Sequence, residues 1–319
     1  MINPGLIMRE RRICAMKISQ SRANIMLVIV AILWGSSYVF AKQVVDAGMQ
    51  SGLINGCRGT FCIAAGYLLF HAKINKMSRR DLKIGLTAGV INFSGYYLQT
   101  AALRYTTPAK NAFLTTMYVV LAPFILWLFW HQAPRRKDYF AIALAVIGMA
   151  LLSGISPSSF TLQLGDLLTL VSAIFWALQL IYFAKFASTV SSPWIVIFLI
   201  GLVQGSLGWL CALLFERPSF AHVHWVQALI PLAILAIVVT FLAQGMQITA
   251  QHFTTPTAAG IILMLESLFA SLMSVALGFD RVTPQLIIGG IILILANLIM
   301  QIDLAKIPLA RRQTPNRLN

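Results

Sequence analysis

Two sets of polar side chains occupy equivalent places inside otherwise apolar stretches of this chain. Asn92, Tyr96 and Gln99 follow an i, i+4, i+7 spacing, which places them on one face of a helix. The same spacing recurs 148 residues later, in Thr240, Gln244 and Gln247. Such side chains are costly against lipid, so they should face the interior of a helix bundle or a wet cavity. Hydrogen bonding between helices is the alternative use of these groups.

Glu266 is the only acidic residue that we expect at the mid-depth of an apolar stretch. It lies ten residues after Pro256, which at a rise of 1.5 Å per residue places it about 15 Å into a helix. The 148-residue offset pairs it with Tyr118. A carboxylate in that position has to be partnered or to carry a proton. A role in contacting a solute or moving protons is one interpretation, and a structural ion pair with Arg58 is the other.

Arg58 lies early in the second apolar stretch. Its charged end could reach the outer surface while its apolar stem stays buried. The alternative is that it holds an anionic group, such as a carboxylate, near the outer mouth of a cavity.

Two tryptophans, Trp34 and Trp176, complete the set of candidate residues. Tryptophan prefers membrane interfaces, so near mid-depth these two residues either stack on a planar or apolar solute or pack against other helices. The residues predicted to line a cavity are Trp34, Tyr38, Asn92, Tyr96, Gln99, Thr115, Tyr118, Trp176, Gln179, Gln244 and Gln247.

The elements that carry these residues are long and apolar. The chain has 319 residues, of which 59% are hydrophobic and 10% charged, and its mean hydropathy is +0.81. Soluble proteins carry about 25% charged residues. Apolar stretches of roughly 20 residues, enough to cross a hydrocarbon core of about 30 Å, alternate with short connections. We therefore predict an all-α membrane protein with ten transmembrane helices, at residues 24–45, 52–72, 82–104, 108–130, 137–154, 164–187, 192–215, 225–250, 256–279 and 283–302.

The net charge of +15 is distributed unevenly over these connections. With both termini on one side, that side carries 18 basic residues and the other side five. Cytoplasmic connections carry the excess of Lys and Arg. Both termini are therefore expected in the cytoplasm, and a nucleic-acid partner is not.

The chain also contains an internal duplication. Residues 99–108, QTAALRYTTP, return at 247–256 as QITAQHFTTP. A threonine before proline favours an extended residue followed by the first turn of a helix, so Pro108 and Pro256 should each begin a helix.

Each half of the duplication holds five predicted spans. An odd number per half requires the second repeat to insert upside down, and inverted repeats place a solute site near the mid-plane where the halves meet. The expected organisation is a cytoplasmic N-terminal segment, two inverted five-helix repeats and a cytoplasmic basic tail, at residues 1–23, 24–154, 164–302 and 303–319.

The order of these features resembles a known superfamily. The Trp-Gly-Ser-Ser segment at residues 34–37, the arginine early in the second span and the Thr-Pro-Ala segment at residues 107–109 are similar to those of the drug/metabolite transporter superfamily, and in particular its EamA-type permeases. The resemblance covers residues 24–302. One departure concerns the ninth span, where many relatives have Glu-Pro and this chain has Glu266-Ser267, so no proline breaks the helix there.

The resemblance implies ten helices in inverted five-helix repeats, cytoplasmic termini and a central cavity. It also implies secondary transport in the plasma (inner) membrane, typically export of amino acids, other small metabolites or drugs. Import of a vitamin or nucleobase-like metabolite is the alternative. The expected partners are a small-molecule substrate, the lipid bilayer and protons, and no cofactor or metal is expected.

Other classes of protein fit the sequence less well. The five histidines lie near span ends or in loops, and no nucleophile–base pair or Walker motif is present, which argues against an enzyme or an ATP-driven pump. No ring of charges repeats around a pore, which argues against a channel.

Overall fold

A computed structural model describes residues 18–131, 136–152, 163–278 and 281–301. These residues are helical apart from short turns, and they contain no β-strand. The fold is therefore all-α, as the sequence predicts.

The helices in chain order are α1 (Gln20–Asp46), α2 (Ser51–Ile74), α3 (Arg79–Ala102), α4 (Pro108–Thr116), α5 (Tyr118–Trp130), α6 (Arg136–Leu152), α7 (Leu164–Phe186), α8 (Pro193–Phe215), α9 (Trp225–Ile234), α10 (Gln244–Gln251), α11 (Pro256–Leu263), α12 (Leu265–Ala276) and α13 (Pro284–Gln301). A π-helical segment, Leu235–Ala243, joins α9 to α10. Single 3-10 segments, Ala187–Thr189 and Arg217–His222, follow α7 and α8.

Seven helical stretches are long and apolar enough to cross a membrane. They are Gln20–Asp46, Ser51–Ile74, Pro108–Phe129, Leu164–Thr189, Pro193–Phe215, Trp225–Gln251 and Ala258–Ala276. Helix α3 is long enough but less apolar, because it carries the first polar stripe. Helices α6 and α13 contribute shorter apolar stretches, Tyr139–Gly148 and Ile287–Ala296. Large apolar side chains also point outward from the bundle, for example Leu68, Phe129 and Val226. This is the architecture of a multi-pass membrane protein.

The two Thr-Pro segments begin helices, which confirms that prediction. Thr107 is extended, its hydroxyl accepts a hydrogen bond from the Lys110 amide, and α4 starts at Pro108. Thr255 has the same backbone conformation and caps α11 in the same way, through the Ala258 amide. The missing amide hydrogen of proline costs nothing in a first helical turn, and the threonine satisfies one of the free amides.

Both of these helices are interrupted by one turn residue, at places that differ by one residue under the 148-residue offset. Met117 separates α4 from α5, and Met264 separates α11 from α12. The sequence offers no proline beside Glu266, yet the interruption occurs, two residues before Glu266. Here Ser267 donates both its amide and its hydroxyl to the Met264 carbonyl, at 3.1 and 2.8 Å. Met264 keeps helical backbone angles, φ −56° and ψ −23°, so this turn with its serine hydroxyl is local and Ala258–Ala276 continues as one helical stretch.

Helices α2 and α8 form the closest contact between the two halves. Gly52 lies against Ala212, Gly59 against Gly205 and Cys62 against Gly201, so the two helices run antiparallel. A Cβ added at Gly59 would overlap the backbone of Gly205, so only glycine permits this approach. Hydrogen bonds between side chains cross this α2–α8 seam, from Gln204 Nε2 to Asn55 Oδ1 (2.8 Å) and from Trp209 Nε1 to Thr60 Oγ1 (2.9 Å). At its end, the Glu216 carboxylate directly after α8 accepts from the Gly52 and Leu53 amides at 2.8 and 3.0 Å.

The partners in this seam are related by an offset of 149 residues. The offset pairs Gly52 with Gly201, Asn55 with Gln204, Gly56 with Gly205, Gly59 with Gly208 and Thr60 with Trp209. Gly59 contacts Gly205 and Gly208 contacts Gly56, so equivalent residues exchange partners. This pattern is that of a two-fold, self-complementary contact.

The remaining helices pack in corresponding ways. Helix α1 packs against α12 and against the α9–α10 stretch, and α7 packs against α4, α5 and α3. Helix α6 packs against α13. At the centre of this arrangement, α1 and α7 face each other across the buried core.

Candidate functional site

A narrow cavity with a volume of about 30 Å³ lies at the centre of the bundle, between both halves of the chain. This volume holds roughly two water molecules, so a larger molecule would need the walls to move apart. Its lining residues are Trp34, Ser37, Tyr38, Tyr96, Gln99, Thr115, Tyr118, Trp176, Gln179, Leu180, Gln247, Leu263 and Glu266.

The lining residues come almost entirely in equivalent pairs. An offset of 142 residues relates α1 to α7, and the offset of 148 relates α3–α5 to α10–α12. The pairs are Trp34 with Trp176, Ser37 with Gln179, Tyr38 with Leu180, Gln99 with Gln247, Thr115 with Leu263, and Tyr118 with Glu266. Tyr96 is the exception, because its counterpart Gln244 does not reach the cavity. Each half thus contributes one wall of the cavity, and the two walls are formed by equivalent residues.

Close helix packing places Glu266 at this wall. Gly35 of the Trp-Gly-Ser-Ser segment lies against α12, and a Cβ added there would overlap the carbonyl oxygen of Glu266. Its neighbour Trp34 therefore reaches the cavity beside the start of α12. The glycine in this segment explains how α1 approaches a helix from the other half.

Hydroxyl and amide groups surround the carboxylate. Tyr38 donates to Glu266 Oε1 at 3.4 Å and accepts from Gln99 Nε2 at 3.2 Å. Gln99 Nε2 also lies 3.0 Å from Thr115 Oγ1. Glu266 is 2% exposed, and no lysine or arginine of the described residues lies within ion-pair distance of it.

A second set of hydrogen bonds links Asn92, Gln179 and Gln247. Asn92 Nδ2 donates to Gln179 Oε1 at 2.8 Å, and Gln179 Nε2 lies 3.5 Å from Gln247 Oε1. Asn92 is fully buried behind the cavity and orients Gln179. It therefore supports Gln179 from behind. The prediction that Asn92 lines the cavity is not met.

Three polar atoms of the lining have no hydrogen-bond partner. They are Trp34 Nε1, Trp176 Nε1 and the Tyr118 hydroxyl. Each of these residues is at most 8% exposed. The two indole rings lie 6.3 Å apart and inclined at 46°, and Tyr96 meets Trp176 edge-on at 4.6 Å. The cavity thus combines aromatic faces with unused hydrogen-bond donors.

Arg58 does not pair with Glu266, so the ion-pair interpretation is wrong. Its Nε donates to Thr240 Oγ1 at 2.7 Å, and its guanidinium carbon lies 3.9 Å from the centre of the Tyr96 ring. It is 2% exposed, so it does not reach the surface either. The partner of Arg58 is therefore Thr240, on the π-helical segment, and not Glu266.

The structure brings nine of the eleven predicted lining residues to the cavity. Asn92 lies behind it, and Gln244 is buried with neither atom of its amide paired. The search for polar residues missed Ser37, Leu180 and Leu263. The pairing of Trp34 with Trp176 would have found Leu180, because it relates Tyr38 to that position.

A more open basic pocket lies apart from the cavity. Its lining residues are Lys42, Arg104, Tyr105, Thr106, Thr107, Pro108, Lys110 and Gln163. Both lysines are paired, Lys42 with Asp46 and Lys110 with Asp166, each at 2.7 Å. Among the described residues, no group of three His, Cys, Asp or Glu side chains could hold a metal ion.

Comparison with known proteins identifies the family. The model of the EamA-like transporter family matches residues 21–154 and again residues 163–301. The chain belongs to the EamA-like transporter family. This membership agrees with the resemblance drawn from the sequence.

Individual relatives extend the comparison. This transporter is 31% identical over 284 residues to an uncharacterized transporter of Archaeoglobus fulgidus, covering 88% of this chain and 86% of that protein. It is 26% identical over 216 residues to the uncharacterized transporter YvbV of Bacillus subtilis, covering 66% and 68%. A solved structure that is 18% identical superposes with a TM-score of 0.71 over 89% of this chain and 97% of that one, which shows a common fold.

Proposed function

We propose that this protein is a secondary transporter that exports a small organic solute by alternating access. The observation that carries the proposal is the paired lining of the cavity, to which both halves contribute equivalent helices. A site shared in this way can open to either side when the halves rock against each other. The outward direction, and an amino acid, a related metabolite or a drug as solute, are what the family resemblance implies.

The solute is expected to have a planar or apolar part and hydrogen-bond acceptors. Trp34 and Trp176 offer ring faces for the former, and their unpartnered N–H groups and the Tyr118 hydroxyl offer donors for the latter. Burying such donors without a partner costs free energy, so a solute that supplies acceptors is favoured.

The proposal includes ten spans in two inverted repeats. Two observations support it, namely the antiparallel α2–α8 seam with its exchanged partners and the similar interruptions at Met117 and Met264. The uneven distribution of basic residues supports cytoplasmic termini, and a plasma-membrane location is what the family resemblance implies.

Glu266 is the proposed proton-coupling group. It is a buried carboxyl in the cavity wall without a cationic partner among the described residues. A group there that changes charge once per cycle would link the proton gradient to solute movement.

Counterflow in proteoliposomes tests the proposal. Liposomes loaded with one unlabelled metabolite at a time receive a trace of the labelled form outside. We expect transient accumulation of the label for at least one small organic solute, and none with Trp34→Ala/Trp176→Ala protein. Absence of counterflow across a broad set of amino acids, other metabolites and drugs, with correctly folded protein, would contradict solute transport.

A further inference from the structure

Arg58 carries a positive charge into the buried core, where no counter-charge from the described residues lies beside it. A guanidinium group remains protonated in proteins. Arg58 is 2% exposed, and among the described residues no carboxylate lies within ion-pair distance of it. Its Nη2 has no hydrogen-bond partner. A buried charge in this state is costly, which indicates that a negative partner belongs beside it.

The groups that contact the Arg58 guanidinium, the Thr240 hydroxyl and the Tyr96 ring, are neutral. Thr240 accepts from Arg58 Nε while its own hydroxyl donates to the Leu235 carbonyl at 2.7 Å. That carbonyl is five residues earlier, as the π-helical segment allows, and π-helical turns are frequent at functional sites. The contact fixes the guanidinium in place without neutralising it.

Gln244 supplies a second unused group on the same stretch. It follows Thr240 by four residues and is fully buried, and neither its Nε2 nor its Oε1 has a partner. Residues four apart in a helix lie on one face, so the amide belongs to the same side of this stretch as Thr240. A guanidinium N–H and an amide N–H are donors suited to a carboxylate.

Tyr96 connects this place to the cavity. Its ring lies under the Arg58 guanidinium, and the same side chain lines the cavity and meets Trp176 edge-on. An anion at Arg58 would therefore be separated from the cavity by one aromatic side chain.

We propose that Arg58 and Gln244 form a binding site for a small monovalent anion of the carboxylate type, adjoining the cavity at Tyr96. The planar fork of arginine matches a carboxylate, and a single negative charge balances the single positive one. The anionic group is carried either by the transported solute or by a free small anion.

The test measures acetate binding to the purified full chain, independently of transport. Sodium acetate replaces sodium gluconate, a carboxylate too bulky for a closed site, at constant total concentration, and the thermal midpoint is followed. We expect a saturable rise with acetate, because a ligand that binds only the folded state stabilises it. Acetamide, the neutral analogue, should give no rise. Absence of an acetate response, or an equal response to acetamide, would overturn the proposal.

Variants locate the site. Arg58→Gln should abolish the acetate response without lowering the thermal midpoint in gluconate, since it removes an uncompensated charge. Gln244→Met keeps Arg58 and its bond to Thr240 and should weaken acetate binding about tenfold, the loss of one hydrogen bond to a charged group. If Arg58→Gln does not fold, the acetate response of Gln244→Met tests the proposal instead. Arg104→Gln, an exposed arginine of the basic pocket, is the matched control and should respond as the unmodified protein does. An acetate response retained in Arg58→Gln, unchanged in Gln244→Met, or lost in Arg104→Gln would overturn the proposal.

Competition distinguishes the two sources of the anion, and this part alone rests on the proposed function. If acetate raises the half-saturating concentration of a transported solute, the solute carries the anionic group. If acetate binds without that effect, the ligand is a free anion. Because the binding test needs no transport, its failure would leave the transport proposal intact.

Discussion

The α2–α8 seam and the cavity both lie between the two halves, but they differ in how closely equivalent positions agree. In the seam, the offset of 149 residues relates glycine to glycine at Gly52, Gly56 and Gly59, and the partners exchange. In the cavity, the pairs Trp34 with Trp176 and Gln99 with Gln247 are identical, and the other four pairs carry different groups. The second half has Leu180, Leu263 and Glu266 at the positions equivalent to Tyr38, Thr115 and Tyr118 of the first half.

The difference shows that the seam has glycine on both sides where the helices touch, whereas the two walls of the cavity share only part of their chemistry. A helix seam requires small residues on both sides, so both copies have to be glycine. A cavity that binds one asymmetric solute requires distinct groups on its two walls. Hydroxyls on one wall and a single carboxyl on the other satisfy that requirement.

The largest expected effect concerns the seam. Gly59→Ala and Gly208→Ala each place a Cβ onto the backbone of the opposite helix, at Gly205 and Gly56. Because backbone cannot move aside as a side chain can, we expect each to destabilise the fold by at least about 3 kcal/mol. Yield of monodisperse protein and the thermal midpoint measure the effect.

Gly66→Ala is the matched control for the seam. It lies on the same helix, and its nearest neighbour would be the Phe198 Cβ at 3.3 Å. Its effect should be small. If Gly59→Ala and Gly208→Ala differed strongly from each other, the two-fold description of the seam would fail.

The next effect concerns the pair in which the two walls differ most. Glu266→Gln retains the shape of the side chain but removes its ability to change charge. We expect accumulation driven by a pH gradient to disappear, while solute exchange at equal pH persists. Solute uptake into proteoliposomes with and without a pH gradient measures both.

Tyr118→Phe, at the equivalent position, is the control for Glu266→Gln. It should weaken solute binding, because the Tyr118 hydroxyl is a proposed donor, but accumulation should still respond to the pH gradient, because Tyr118 is not the proposed proton carrier. If Glu266→Gln kept its response to the gradient, the coupling role would be excluded. Loss of folded protein would instead indicate that the carboxyl is structural.

The smallest effect concerns the tryptophans, one of the two pairs that are identical in both walls. Trp34→Phe and Trp176→Phe each keep a ring and remove an N–H that has no partner within the protein. If that N–H binds the solute, each variant should lose about 1 kcal/mol of binding, or about fivefold in half-saturating concentration. Similar losses in the two variants would show that the two tryptophans contribute equally to solute binding. No loss in either would assign the indoles to packing.

Much of this arrangement could be predicted from the sequence. Apolar stretches predicted membrane-spanning helices, and the Thr-Pro segments predicted where α4 and α11 begin. Polar residues at helical spacing predicted most of the lining, because a polar group inside a membrane helix has few places to point.

The contacts between distant helices could not be predicted in the same way. Periodicity shows which face of a helix is polar but not which helix it meets. An ion pair of Arg58 with Glu266 was therefore one open interpretation, whereas Arg58 binds Thr240. The π-helical segment has no proline or glycine to mark it. The seam did carry a signal, in the four-residue spacing of Gly52 with Gly56 and of Gly201 with Gly205, which is typical of close helix packing.

The central claim is that the cavity binds solute and is reached alternately from the two sides of the membrane. Single cysteines at Gln99 and Gln247, in a background lacking the four native cysteines, test it directly with a membrane-impermeant thiol reagent applied from either side. We predict that both cysteines react from both sides and that a transported solute slows the reaction. Cysteines at Lys76 and Arg104 should each react from one side only. If these controls react as expected while neither cavity cysteine reacts from either side, the polar walls are structural and the account is contradicted.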